Sequence, residues 1–234
     1  MMGGRIIRPE TPQGLEFPEI GRLHIGMKSE KGYPMSIDWF RATGKYADKF
    51  VEAYGEKPNT IQIVFPSDNV ENVCNERFEY RDNAGALLSD GDGKTFRLWN
   101  GKSWSFYSTE KYPDFMKWVA TNYQTKKGME NWSITLTLNF IIPKIRGIMG
   151  VWRFTTKGSA SSVNNIRNSF DSVMQMRGSV TTSVFDLSVH FHKSNKPNDN
   201  SRYPVVDLIA NDTRINDMRN MLKPESNLKL LKND

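Results

Sequence analysis

The chain has 234 residues, of which 38 % are hydrophobic, 25 % charged and 12 % aromatic. That suits one large domain, or at most two small ones, with an ordinary core, and it excludes a disordered chain. No stretch approaches the roughly 20 apolar residues of a spanning helix, and Met1-Met2-Gly3-Gly4-Arg5 has no apolar signal core. The expectation is a soluble intracellular protein with no membrane partner. Cys74 is the only cysteine, which excludes an internal disulfide and any multi-cysteine metal site.

Net charge is +6 and the isoelectric point about 9.3. Between Lys117 and Arg177 there are nine Lys/Arg (Lys117, Lys126, Lys127, Lys144, Arg146, Arg153, Lys157, Arg167, Arg177) against Glu130 and Asp171. This segment alone carries +7, more than the whole chain's surplus. A field of that sign concentrates polyanions, of which nucleic acid is the usual one; the competing reading is a solvated charged face.

Residues 1–18 carry Pro9, Pro12 and Pro18 with little periodicity and read as a flexible arm. Gly21 to Lys28 alternates Leu23, Ile25 and Met27 against Arg22, His24 and Lys28, a half-buried strand. After the turn Ser29–Pro34, Asp38 is a plausible cap for a helix that carries Trp39, Phe40, Phe50, Val51 and Tyr54, interrupted near Gly44 and ending at Gly55. Ile61–Phe65 reads as a short strand, and Ser67 as the cap of a short acidic helix holding Val70, Val73 and Cys74. A meander follows, with strands Arg77–Arg81, Thr95–Trp99 and Trp104–Tyr107. Its turns are Asp82–Gly85, Ser89–Gly93 and Asn100-Gly101, the last a type I′ hairpin signal. Tyr112–Tyr123 reads as a helix.

In Ser133–Ile142, Ile134, Leu136, Leu138 and Phe140 share one face, while Ser133, Thr135, Thr137 and Asn139 share the other. Val151–Lys157 sets Trp152 and Phe154 toward the core and Arg153, Thr155 and Lys157 outward. Ala160–Met176 is an amphipathic helix. In the last long strand Phe185, Leu187, Val189 and Phe191 face inward, and Asp186, Ser188, His190 and His192 outward. Tyr203–Ala210 closes the sheet, Thr213–Leu222 reads as a terminal helix, and residues 223–234 as a flexible tail. The fold class expected is α+β, mainly antiparallel β in a barrel- or sandwich-like sheet with a few added helices, one domain over residues 19–222.

For a nucleic-acid site, Thr135, Thr137 and Asn139 fall on the same polar sheet face as Arg153, Thr155 and Lys157. Lys126, Lys127, Lys144 and Arg146 rim it, and Arg167 adds a further cation. Such a face suits phosphates. Trp99, Trp104, Tyr107, Tyr123 and Trp132 are the rings that could stack on bases beside it, Trp104, Tyr107 and Trp132 foremost. Exposed rings favour single-stranded DNA, although Asn164, Asn165, Arg167 and Asn168 on one helix leave duplex reading open. His190 and His192 share a strand face with Asp186 but lack further ligands, so no metal or other cofactor is expected. Asp90, Asp92, Asp186 and Asp207 are the carboxylates from which catalysis would have to be built; the expectation is a non-enzymatic protein with no catalytic residue.

Three passages carry a resemblance: Ile20–Gly26 with Lys31–Pro34 and Asp38–Phe40, then Phe50–Gly55, then Gly150–Gly158 backed by Ser161–Phe170. Over about residues 18–210 the chain resembles the recombination-directionality-factor-like family of phage proteins. The resemblance implies a DNA-transaction protein acting in the cytoplasm of an infected bacterial host. The family's best-known member binds a large serine integrase and turns integration into excision. It singles out Arg22, Gly26, Pro34, Trp152, Arg153 and Gly158. Some relatives carry extra cysteines in the middle segment; with Cys74 alone here, no zinc role carries over. It also opens a reading in which protein–protein binding to an integrase dominates. Ile6, Ile7, Leu15 and Phe17 of the arm would then dock on a partner or on a second copy in a homo-oligomer.

Overall fold

The structure, a computed structural model, describes residues 17–123, 132–157, 161–194 and 199–214. It is α+β and mainly antiparallel, as the alternation predicts, but the large sheet stays open and does not close into a barrel. Eleven strands carry the described chain: β1 (Glu19–Lys28), β2 (Pro34–Thr43), β3 (Thr60–Ile63), β4 (Cys74–Arg81), β5 (Leu87–Gly91), β6 (Thr95–Trp99), β7 (Trp104–Ser108), β8 (Trp132–Phe140), β9 (Val151–Thr156), β10 (Ser183–Lys193) and β11 (Arg202–Arg214). Helices α1 (Ala47–Tyr54), α2 (Val70–Val73), α3 (Phe115–Asn122) and α4 (Ser162–Arg177) lie between them. Eight strands form one sheet in the order β2-β1-β9-β8-β4-β5-β6-β7, and β11-β10-β3 form a second.

The second sheet and α4 cover one face of the first. Leu136, Leu138 and Phe140 of β8, Trp152 and Phe154 of β9, and Ile166 and Phe170 of α4 are buried there with Phe185 and Leu187 of β10. A separate cluster of Tyr80, Phe96, Leu98, Phe115 and Val119 lies where α3 covers the meander. Apolar burial of this kind, about 25 cal/mol per Å², is the main term holding both in place.

Several local expectations give way to tertiary packing. The helix expected from Asp38 is strand β2 up to Thr43, paired antiparallel with β1, and only residues 47–54 are helical. Ile37 and Phe40 are buried on that strand, and bulky residues gain more from a buried pleat than from their weak helical preference. Gly44 ends it at φ +106°, a conformation that L side chains rarely adopt, where a Cβ would meet Gly21 Cα at 3.0 Å. Asn69, not Ser67, caps α2: its Oδ1 accepts from Glu71 N–H at 3.0 Å. The segment read as the turn Ser89–Gly93 holds the last three residues of β5, because Ser89, Asp90 and Gly91 pair with both β4 and β6. The Asn100-Gly101 turn is centred one residue later, since Asn100 and Ser103 form the closing pair and Asn100 Oδ1 accepts from the N–H groups of Lys102 and Ser103. Thr213 and Arg214 continue β11; the rest of the expected terminal helix and the tail lie outside the described residues.

One pairing breaks the antiparallel rule. β1 runs parallel to β9, with Gly21 opposite Trp152 and Leu23 opposite Phe154. Gly21 has no side chain because the Trp152 ring occupies that space: a Cβ there would overlap its six-membered ring. Gly21→Ala is therefore expected to overpack this contact and to cost about 1–3 kcal/mol. For a chain of this size that lowers the melting temperature by several degrees, roughly 2–4 °C per kcal/mol, in a thermal melt.

Candidate nucleic-acid interface

The face of the large sheet opposite α4 is built from alternate residues of every central strand. Register fixes its rows. Arg22 of β1 lies opposite Thr43 of β2 and Arg153 of β9, and Arg153 lies opposite Asn139 of β8. Thr155 faces Thr137, and Thr137 faces Asn75. Ser133, Glu79, Asp90, Arg97 and Phe106 form a cross-strand row from β8 to β7. With strands about 4.8 Å apart, the face spans roughly 29 Å from β1 to β7.

Its charges fall into three repeated units in which one carboxylate is shared by two cations. Glu19 binds Arg22 and, at 2.7 Å, Arg153 Nη1. Glu79 accepts from Arg81 Nε at 2.9 Å and lies 3.6 Å from Lys157 Nζ. Asp90 sits between Arg77 Nε, at 2.8 Å, and Arg97 Nε. The six cationic side chains are 35–55 % exposed, whereas Asp90 is 5 % and Glu79 14 % exposed. Six cations face three carboxylates, so the acids fix the geometry from below and the surplus positive charge reaches solvent. The Glu19 carboxyl is held below the usual range, chiefly by its hydrogen bond from Arg22 and further by Arg153.

Rings flank the cations at the β6–β7 end. The Arg97 guanidinium lies 4.5 Å from the centre of the Trp104 ring, Trp104 packs on Trp99, and Phe106 is 78 % exposed beside them.

The other expected site residues do not all arrive here. Arg153, Lys157 and Trp104 do. Tyr107 and Trp132 point to the opposite side: Tyr107 stacks on Phe115, and Trp132 packs on Tyr80 and Phe96 while its Nε1 donates to Met116 C=O. They are half-buried against the α3 cluster, on the side of the sheet away from the cations. Lys144 holds its ammonium over the Tyr54 ring at 4.6 Å, beside α1, and Arg146 is exposed in the same loop. Arg167 reaches Glu76 across the buried side of the sheet, and Asn165 donates to Asp207, so this flank of α4 is engaged with the fold. Thr135, expected on the solvated face, is buried opposite Arg77. Lys126, Lys127, Gly158, Ile6, Ile7 and Leu15 lie outside the described residues; Phe17 lines a cleft of about 290 Å³ with Glu19, Asn139 and Arg153.

The four suspect carboxylates fall in two places, Asp90 and Asp92 at the β5–β6 turn and Asp186 and Asp207 as diagonal neighbours on the paired strands β10 and β11. Asp90 holds the arginine pair, and Asp92 closes the β5–β6 turn by accepting from Lys94 and Thr95 N–H. Asp186 accepts from Asn211, and Asp207 pairs with His190 Nδ1 at 3.3 Å. His192 packs on Tyr203. Among the described residues no three potential metal ligands come together, and no helix is long and apolar enough to cross a membrane.

His24 adjoins the cationic face, its Nε2 2.9 Å from Thr43 Oγ1. Burial, then Arg41 and Arg22, push its imidazole below the ordinary 6.5. The folded state thus binds fewer protons than the unfolded one as pH falls through 6.5, and stability falls with it. Urea titrations at stepped pH are expected to show this loss, and His24→Gln to remove that component.

No curated protein and no solved structure matches the chain. A family model described as Gp3-like, recombination directionality factor-like, matches residues 20–211. That match takes in the large sheet from Ile20 onward, including the Glu79 and Asp90 units and the Arg22–Arg153 pair though not Glu19 itself, and the chain belongs to the recombination directionality factor-like family.

Proposed function

We propose that this is a non-enzymatic DNA-binding protein of phage recombination, whose open sheet face holds single-stranded DNA. The observation that carries the reading is the sharing of each carboxylate by two cations. The cations are oriented in advance yet not neutralised, and phosphate oxygens add to guanidinium N–H groups left over from the acids. Thr137, Thr155 and Asn139 add neutral donors. Trp104 and Phe106 provide ring faces, each worth about 1–3 kcal/mol per stacked base whatever the sequence. An open sheet with stacking rings suits bases without partners; no helix among the described residues presents a free row of base-reading side chains.

Four to six phosphate contacts give a log–log salt slope near −3 to −4 on single strands. Anisotropy of a labelled oligonucleotide across salt measures it, and affinity indifferent to salt refutes the reading. In competition, single strands are expected to displace the probe better than duplex of the same sequence; equal competition by duplex removes the strand preference. Incubation with DNA and magnesium or manganese is expected to leave it intact, and cleavage lost in Asp186→Ala or Asp207→Ala overturns the non-enzymatic reading.

Family membership supports a second reading, in which the protein acts chiefly by binding a serine integrase. Nuclease-resistant co-purification with such an integrase, by a variant whose sheet face no longer holds DNA, favours it over the first.

A further inference from the structure

The alternation along β8 sets Ser133, Thr135, Thr137 and Asn139 on the cationic face, yet Thr135 alone of the four is buried. It is 3 % exposed, and its Oγ1 has no hydrogen-bond partner among the described residues. Buried hydroxyls are ordinarily paired, because one that leaves water and gains no partner is costly. Its neighbours are cations. Register sets Arg77 of β4 opposite Thr135 on one side. On the other, the β8–β9 register, Leu136 opposite Thr156, carries on to Thr135 and Lys157. Lys157 Nζ lies 3.6 Å from Glu79, which stands beyond β8 opposite Ser133. Its side chain therefore crosses β8 between Ser133 and Thr135, over the orphaned hydroxyl. Neither cation is fully engaged. At 3.6 Å Lys157 makes no hydrogen bond, and Arg77 Nε, 2.8 Å from Asp90 Oδ2, lacks the alignment of one.

We propose that Thr135 is the floor of a phosphate seat whose walls are Arg77 and Lys157. This rests on the nucleic-acid reading and fixes where on the face a backbone phosphate of the single strand is held. An arriving phosphate draws Lys157 off Glu79, a small swing for a half-exposed, flexible side chain, and uncovers the hydroxyl. Thr135 Oγ1 and Lys157 Nζ then donate to phosphate oxygens. The guanidinium N–H groups of Arg77 that Asp90 leaves over donate from the other side. Glu79 is not stranded, since Arg81 Nε stays 2.9 Å away. The hydroxyl gives up no earlier partner, so its bond to phosphate is a net gain on binding. Thr137 and Thr155 lack this property, because their hydroxyls already bond to each other at 3.3 Å.

Thr135→Val exchanges the hydroxyl for a methyl of the same shape, and it is expected to move stability and binding in opposite directions. The melting temperature of the free protein should rise by about 2–4 °C, since a buried orphan is removed. Affinity for a single-stranded oligonucleotide should fall about tenfold or more, the loss of a hydrogen bond to a charged group. The log–log salt slope should stay that of the parent, because a neutral hydroxyl releases no counterion. Thr135→Ser keeps the donor and should bind as the parent does. Thermal melts and anisotropy titrations at several salt concentrations read all of these. A parent that binds no oligonucleotide overturns the nucleic-acid reading and the seat with it. A parent that binds, with Thr135→Val binding equally well, overturns the seat alone. So does a Thr135→Val variant of lowered stability, which shows that a trapped water already satisfies the hydroxyl, or a Thr135→Ser variant as weak in binding as Thr135→Val.

Discussion

Exchanging Arg22, Arg97 and Lys157 for glutamine in one variant is expected to lower affinity for single-stranded DNA about 100-fold near 0.1 M salt, with a salt slope shallower by about 2. Each phosphate contact on a single strand contributes about 0.7 to the slope, and three contacts over the decade from 0.1 to 1 M account for roughly two orders of magnitude. The choice follows from the shared carboxylates. Glu19 keeps Arg153, Asp90 keeps Arg77 and Glu79 keeps Arg81, so no acid is left alone and the fold is retained. Exposed pairs of this kind contribute at most about 1 kcal/mol each to stability. Anisotropy titrations at several salt concentrations, with circular dichroism to confirm folding, make the comparison. A variant with unchanged slope shows that the face does not hold phosphate.

Removing one of the acids is expected to act in the opposite direction on binding and far more strongly on stability. Asp90 is 3 % exposed and stands between two guanidinium groups. Asp90→Ala leaves Arg77 and Arg97 facing one another without a counter-charge, at a cost of about 2–4 kcal/mol. Partial exposure of both arginines places this below the cost of a fully buried pair. Urea unfolding measures it, with Asp92→Ala, which loses only turn bonds, expected to cost about 1 kcal/mol. The folded fraction of Asp90→Ala should bind oligonucleotide more tightly than the parent, since the face has gained a net positive charge. Weaker binding together with unchanged stability would show that the aspartate has some role other than holding the arginines.

The alternation along β8, β9 and β10 as far as Val189 was legible because each has one face on a core and one toward solvent or polar neighbours, which writes a period of two into the residues; Phe191, expected inward, is exposed because β10 runs past the core there. Trp152 and Phe154 could be assigned inward on that ground alone. β2 was not legible: Trp39 and Phe40 fit an apolar helix face as readily as a pleat, and only pairing with β1 decides between them. The parallel β1–β9 contact leaves no local trace at all. The same limit governed the site. Counting charge along the chain picks out residues 117–177, but a sheet gathers side chains by register. Arg22, Arg77, Arg81 and Arg97 come from outside that segment, whereas Lys144 and Arg167, inside it, are drawn to a tyrosine ring and to Glu76. Phe106 could have been found beforehand: it alternates out of phase with the Tyr107 that packs on the core, on a strand whose partner places Arg97 directly opposite.

The pairing of β1 with β9 also sets an order on synthesis. The β1–β2 hairpin leaves the ribosome with one side unpaired, and the strand that completes it begins only at Val151, 108 residues after Thr43. At roughly 5–20 residues per second, the interval is on the order of ten seconds. The meander β4–β7 and α3 lie within that gap and make mostly near-neighbour contacts, which close quickly. Translation therefore delivers a finished lobe first, and the N-terminal hairpin waits, open to chaperones or to another nascent chain, until Trp152 emerges to settle over Gly21.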